Sequence, residues 1–168
     1  MIRKVVLVEE KNGQEKKPGR KGRRRRSREL VLQGLYQWFV AKEAIHIIIE
    51  QLHETKTFLK ADQEYFSDLM QGLLTDLTEL EKHIQPCLDR PFKELSPIEA
   101  SILLLSTYEF INYLGTPYKA IINEAVELAK TYGGTDGHKY VNGVLDKLAK
   151  KLRKDETALP IQWQKKSI

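Results

Sequence analysis

Ser96-Pro97-Ile98-Glu99-Ala100-Ser101-Ile102-Leu103-Leu104-Leu105-Ser106-Thr107-Tyr108-Glu109-Phe110-Ile111-Asn112-Tyr113 opens as a helix and then shows almost no polar face. Serine can cap a helix, proline suits the first helical position, and Glu99 stands three residues after Ser96 as in a capping box. Beyond that start, Ile98, Ile102, Leu103, Leu104, Leu105, Tyr108, Phe110 and Ile111 place apolar groups on nearly every side. A helix that is hydrophobic all round has to be surrounded by other elements. The chain is therefore organised about one central helix.

On the C-terminal side, Thr116-Pro117 repeats the start signal, and Gly133-Gly134 closes the helix it opens. Asp136 can cap a last helix with a stripe of Val141, Val144, Leu145, Leu148 and Leu152. Gly143 inside that helix costs about 1 kcal/mol against alanine, which predicts a close helix–helix approach there. On the N-terminal side, a long pattern after Asp62 carries Phe66, Leu69, Leu73, Leu77, Leu80 and Ile84 at spacings of three and four. Pro86 interrupts it, and a short helical turn to about Arg90 follows. A helix over roughly Glu43 to His53 presents Ile45, Ile48, Ile49 and Leu52 on one side. Before it, Val31, Leu35, Trp38 and Phe39 share a face of a helix that starts near Arg23. No segment of the body alternates with period two. The expected fold is all-α, with six or seven helices.

Charge is distributed unevenly. Residues 1–30 hold 12 Lys/Arg against 4 Asp/Glu, while the rest of the chain is net negative although the whole carries +5. The centre of the basic region is Arg23-Arg24-Arg25-Arg26-Ser27-Arg28, which leads into the first helix. Cations at a helix N-terminus oppose its dipole by roughly 0.3–1 kcal/mol each. A solvated charged face would need no such cluster, whereas guanidinium forks suit phosphates. Nucleic acid is the leading partner. Residues 9–22 mix Lys, Glu, Gly and Pro and read as a flexible basic tail, so 1–22 is expected to precede a helical domain at 23–154, with a second tail at 155–168. Val5 to Val8 could form a short strand, but no partner for it is visible.

Other classes find little support. The longest apolar run, Ile102 to Leu105, is too short to cross a bilayer. The N-terminus lacks a signal-peptide cleavage site, and the single Cys87 fits a reducing compartment, so a cytoplasmic protein is expected. His46, His53, His83 and His138 lack metal-ligand spacing, and no phosphate-cradling glycine loop or nucleophile elbow is present. These readings predict neither metal nor cofactor, and no enzyme. Most of the tyrosines suit a core. Tyr140 differs, because it follows His138-Lys139 at the start of the last helix, where a ring could either stack on a splayed base or pack at the edge of the buried stripe.

Three stretches together resemble the NusB family of transcription antitermination factors. They are Arg24-Arg25-Arg26-Ser27-Arg28-Glu29 continuing into Gln33-Gly34-Leu35-Tyr36-Gln37-Trp38, the run from Pro117 to Lys130, and His138-Lys139-Tyr140-Val141-Asn142-Gly143-Val144-Leu145-Asp146. The resemblance covers about residues 23–153, with Tyr108-Glu109 also fitting. It implies a compact fold of two small helical bundles. It also implies binding of boxA-type single-stranded RNA together with NusE, a ribosomal small-subunit protein, in an RNA polymerase elongation complex with other Nus factors. Carried over by motif, the RNA surface comprises Arg24, Arg25, Arg26, Arg28, Gln33 and Tyr36, with Asp136, His138, Lys139 and Tyr140 at the last helix. Glu99 becomes a candidate for the NusE-facing surface, although its capping role explains it equally well. Ser27 departs from the alanine usual in the motif.

The same helical domain also occurs fused to RNA cytosine methyltransferases, so a targeting or regulatory subunit for an RNA-modifying enzyme is the alternative reading. Binding of duplex DNA has less support, since no short helix-turn-helix signature is present.

Overall fold

The computed structural model describes residues 18–159; the segment Val5 to Val8, most of the basic tail and residues 160–168 lie outside them. Among the described residues there are nine α-helices and no strand. The all-α class is as expected, and seven of the helices have eight or more residues. The chain divides into two helical units, with the boundary between Gln71 and Gly72.

The first unit begins with α1, Arg20–Ala41, three residues earlier than the charge run suggested. Leu30, Val31, Leu32 and Leu35 are buried along it. Gly34 allows a close approach, because a Cβ there would lie 2.6 Å from the Met70 methyl carbon and 3.0 Å from Leu52. The helix stops at Lys42, whose φ of 53° is left-handed and whose N–H returns to the Trp38 carbonyl. Helix α2, Ile45–His53, buries Ile48 and Leu52. The short α3, Lys56–Lys60, was not apparent in the sequence; Thr55 caps it by accepting from the Phe58 N–H at 3.3 Å. Asp62 then caps α4, Gln63–Thr75, accepting from the Tyr65 N–H at 3.0 Å.

The single long helix expected from Asp62 to Ile84 is two helices. α4 ends at Thr75, and α5 spans Leu77–Ile84. Asp76 between them has φ −100° and ψ 10°, outside the helical region. The apolar spacing of Leu73, Leu77, Leu80 and Ile84 runs through this break, so periodicity could not reveal it. A residue type that favours non-helical backbone stands at the break itself.

In the second unit two 3₁₀ turns, Gln85–Cys87 and Phe92–Glu94, replace the expected helical turn after Pro86. Helix α6, Pro97–Asn112, follows. Ser96 caps it, its hydroxyl accepting from the Glu99 N–H at 3.2 Å. Between Ile98 and Phe110 only Glu99 is not buried. Helices α5, α7 (Tyr118–Tyr132) and α8 (Gly137–Leu152) pack around α6, as an all-apolar helix requires. A Cβ at Gly72 would overlap the buried hydroxyl of Tyr108, so this tyrosine fills space that only a glycine leaves open.

Three further expectations need correction. Gly143 does not mark a helix–helix approach: it is exposed, and a Cβ there would meet nothing within 4 Å. Neither Thr116 nor Asp136 caps with its side chain. The first N–H of α7, at Tyr118, donates to Glu156 Oε1 at 2.8 Å instead, and Asp136 pairs with Lys139 at 3.4 Å. The tail expected to begin at Asp155 starts as another helix, α9, Lys154–Thr157.

Arg153, just before α9, is 5% exposed. Its Nε donates to the Phe110 carbonyl at 2.7 Å and its Nη2 to that of Tyr113 at 2.9 Å. Nη1 donates to the Thr116 carbonyl at 3.1 Å and pairs with Glu156 Oε2 at 2.6 Å. The last carbonyls of a helix have no donors of their own. Arg153 supplies them for α6, and its partner Glu156 supplies an acceptor for the start of α7.

Candidate nucleic-acid interface

One group of candidate residues lies on α1, in the first unit. Its first turn contains no acidic residue, and its N-cap, Gly19, makes no side-chain cap. Arg20, Lys21, Arg23 and Arg25 are exposed, so the helix extends the cationic face beyond the residues singled out by motif. At 100° per residue, Arg25, Gln33 and Tyr36 lie on one side, at i, i+8 and i+11. Gln33 and Tyr36 are half-buried.

The remaining arginines are placed differently. The Arg24 guanidinium lies 4.5 Å from the ring centre of Tyr65, and that of Arg28 lies 5.4 Å from it. Arg28 is 6% exposed, and Arg24 reaches Asp62 at 3.9 Å. Both thus cover a buried tyrosine, a contact of roughly 0.5–2 kcal/mol for each cation. Arg26 pairs with Glu29 at 3.3 Å. Ser27, the departure from the motif, is fully buried, and its one hydroxyl hydrogen is shared between the Asp62 carbonyl at 2.6 Å and that of Arg23 at 3.1 Å. It ties the basic stretch to the start of α4, which an alanine could not do.

A second group lies at the start of α8, in the second unit. His138 is half-buried, and Asp136 and Lys139 are exposed. Glu99 belongs to the same neighbourhood: its Oε1 is 3.4 Å from where a Cβ on buried Gly137 would lie. Tyr140 is half-buried, and its hydroxyl donates to Asp89 Oδ1 at 2.9 Å. Arg90, bonded to Asp89 through Nε at 2.8 Å, holds its guanidinium 4.9 Å from the Tyr140 ring centre. The Arg90 bond, and after it the Tyr140 hydroxyl, draws the Asp89 carboxyl down to about 2. Partial burial, and then the Asp89 bond, pushes the Tyr140 phenol above its ordinary 10.

Sequence reasoning missed Asp89 and Arg90. They are some fifty residues from Tyr140 along the chain, and no motif links them. Among the described residues no group of three or more His, Cys, Asp or Glu could hold a metal ion, and no helix is long and apolar enough to cross a membrane. Cys87 is buried.

Comparison with known proteins agrees with this architecture. The NusB family model matches residues 25–150. The transcription antitermination protein NusB of Nitrosospira multiformis is 63% identical over 134 residues, covering 80% of this chain and 85% of that protein. The NusB protein of Dechloromonas aromatica is 48% identical over 161 residues, covering 96% of this chain and 99% of its own. The solved structure of T. maritima NusB superposes with a TM-score of 0.70 at 30% identity, covering 81% of this chain and 97% of that one. The matched region runs through the central helix, and at this identity the likeness is more than a shared helical fold. The chain belongs to the NusB family.

Proposed function

We propose that this chain is a transcription antitermination factor that binds boxA-type single-stranded RNA together with a NusE-type ribosomal protein. In this reading it joins RNA polymerase with other Nus factors in the cytoplasm and suppresses premature termination, notably on ribosomal RNA operons. It works by binding and not by catalysis. The observation that carries the reading is the exposed cationic face of α1, Arg20, Lys21, Arg23 and Arg25, set at a helix end whose dipole such charges oppose.

Phosphate contacts from that face supply most of the affinity. Tyr36, Gln33 and the Asp136, His138, Lys139 and Tyr140 group supply contacts to unstacked bases. Arg26 contributes at the edge of the cationic face, while Arg24 and Arg28 position it through Tyr65. Glu99, beside the start of α8, faces the partner protein. A partner that also touches the RNA raises the affinity of the shared complex. The sequence of residues 1–17 carries further Lys and Arg, and the folded region extends through α9. The test is competition between single-stranded RNA and duplex DNA over a salt series. Preferential, salt-dependent binding of the RNA is expected, and equal or better binding of the duplex would overturn the reading.

A further inference from the structure

Asp89 and Arg90 lie between the two 3₁₀ turns, in a stretch that no motif singles out. Arg90 presents a complete fork to Asp89: Nε donates to Oδ1 at 2.8 Å and Nη2 to Oδ2 at 3.2 Å. The same Oδ1 accepts the Tyr140 hydroxyl at 2.9 Å, and the guanidinium lies over the Tyr140 ring. The side chains of Arg90 and Asp89 are 44% and 64% exposed. An exposed ion pair adds little to folding. The fold therefore has small need of a fork, a hydroxyl bond and a ring contact meeting at one surface tyrosine.

Each part of the cluster resembles a part of a bound nucleotide. A carboxylate satisfies the guanidinium fork as a phosphate does. A flat cation covers the ring as a base does. Three residues along α8 from Tyr140, exposed Gly143 leaves the helix surface bare, with open space where a side chain would stand. Glycine in a helix interior costs stability, and no packing contact explains this one.

We propose that Asp89, Arg90 and Tyr140 form a nucleotide subsite for single-stranded RNA that is self-occupied in the free protein, with Asp89 in place of the phosphate and Arg90 in place of the base. The proposal rests on the RNA-binding reading above. When RNA binds, a phosphate takes the Arg90 fork from Asp89, and an unstacked base takes the ring face that Arg90 leaves. Asp89 is thus a built-in competitor. It favours ligands that offer phosphate and base together over duplexes, whose bases are already stacked.

The test is fluorescence anisotropy of a short labelled single-stranded RNA against the full chain over a salt series. The variants are Asp89→Asn, Arg90→Ala, both together, and two controls, Arg25→Ala and Glu79→Gln. Glu79 is an exposed acid of the same unit paired with Lys82, so it reports the effect of net charge alone. Asp89→Asn should tighten binding by roughly two- to fivefold, the size of one exposed charge interaction. Arg90→Ala should weaken binding by about fivefold or more and flatten the log–log salt slope by about 0.7. In the Arg90→Ala background Asp89→Asn should gain no more than Glu79→Gln does. An equal gain from Glu79→Gln and Asp89→Asn in the wild-type background, or no effect of Arg90→Ala while Arg25→Ala still weakens binding, would overturn the subsite and leave the RNA reading intact. Absence of salt-dependent RNA binding by the wild-type chain would instead overturn the RNA reading, and the subsite with it.

Discussion

Arg25 and Arg28 are three residues apart in one arginine run, yet their environments differ. Arg28 is buried against Tyr65, whereas Arg25 is exposed. Arg28→Ala should cost about 1–2 kcal/mol through the lost ring contact and the lost packing of its alkyl stem. Arg25→Ala should stay within about 0.5 kcal/mol in stability while flattening the salt dependence of RNA binding by about 0.7 in slope. Denaturation and RNA titration of the two variants separate the roles. Gly143→Ala should raise stability by about 1 kcal/mol, since helix propensity improves and the new methyl meets nothing; a thermal melt checks this. For Tyr140, ionisation of the phenol would set its negative charge against the Asp89 carboxylate. Burial first, and then this carboxylate, raises the phenol above its ordinary 10, and the bond it donates is lost as pH rises through that raised value. Asp89→Asn should bring the titration down part of the way, the remainder being due to burial. Ultraviolet absorbance of the wild type and variant measures the difference.

Among the elements, the end of α6 and the start of α7 depend on a residue from neither. Arg153 donates to the carbonyls of Phe110, Tyr113 and Thr116, and Glu156 accepts from the Tyr118 N–H. Arg153→Ala leaves buried acceptors and a carboxylate unmatched, which should cost on the order of 3–5 kcal/mol in denaturant unfolding. Glu156→Gln keeps an acceptor for Tyr118 and loses only the charge, so it should cost clearly less. Faster amide exchange at Tyr118 in the Arg153 variant, but not in the Glu156 variant, would locate the damage at this junction. The family motifs begin at Arg24 and Pro117, but the group that caps the second of them comes from α9.

In the molecule as a whole, the region matched to the family, residues 25–150, leaves the first 24 residues outside it. Deleting residues 1–17 should therefore preserve co-purification with a NusE-type ribosomal protein. It should also weaken RNA binding only through the cations removed, with a shallower salt slope. Loss of the protein complex on this deletion would assign the interaction to the basic segment and not to the helices. Because coupling between two ligands is reciprocal, RNA should tighten partner binding by the same factor that the partner tightens RNA binding. Isothermal titration in both orders checks that equality.

The helical class, the central position of α6 and the cap at Ser96 were legible in the residues. They depend on local spacing and on hydrogen bonds within four residues, which order along the chain specifies directly. The basic face of α1 was legible for the same reason, since charge density needs no partner. Contacts between distant residues were not legible. Arg24 and Arg28 belong to Tyr65, Ser27 to Asp62, Arg153 to the end of α6, and Asp89 to Tyr140. Nor could an apolar pattern show the break at Asp76, because a side-chain period survives one non-helical residue. An arginine reads the same in the sequence whether its fork meets solvent, a carbonyl or a ring. Which one it meets is decided when residues forty or fifty positions apart are brought within 3 Å.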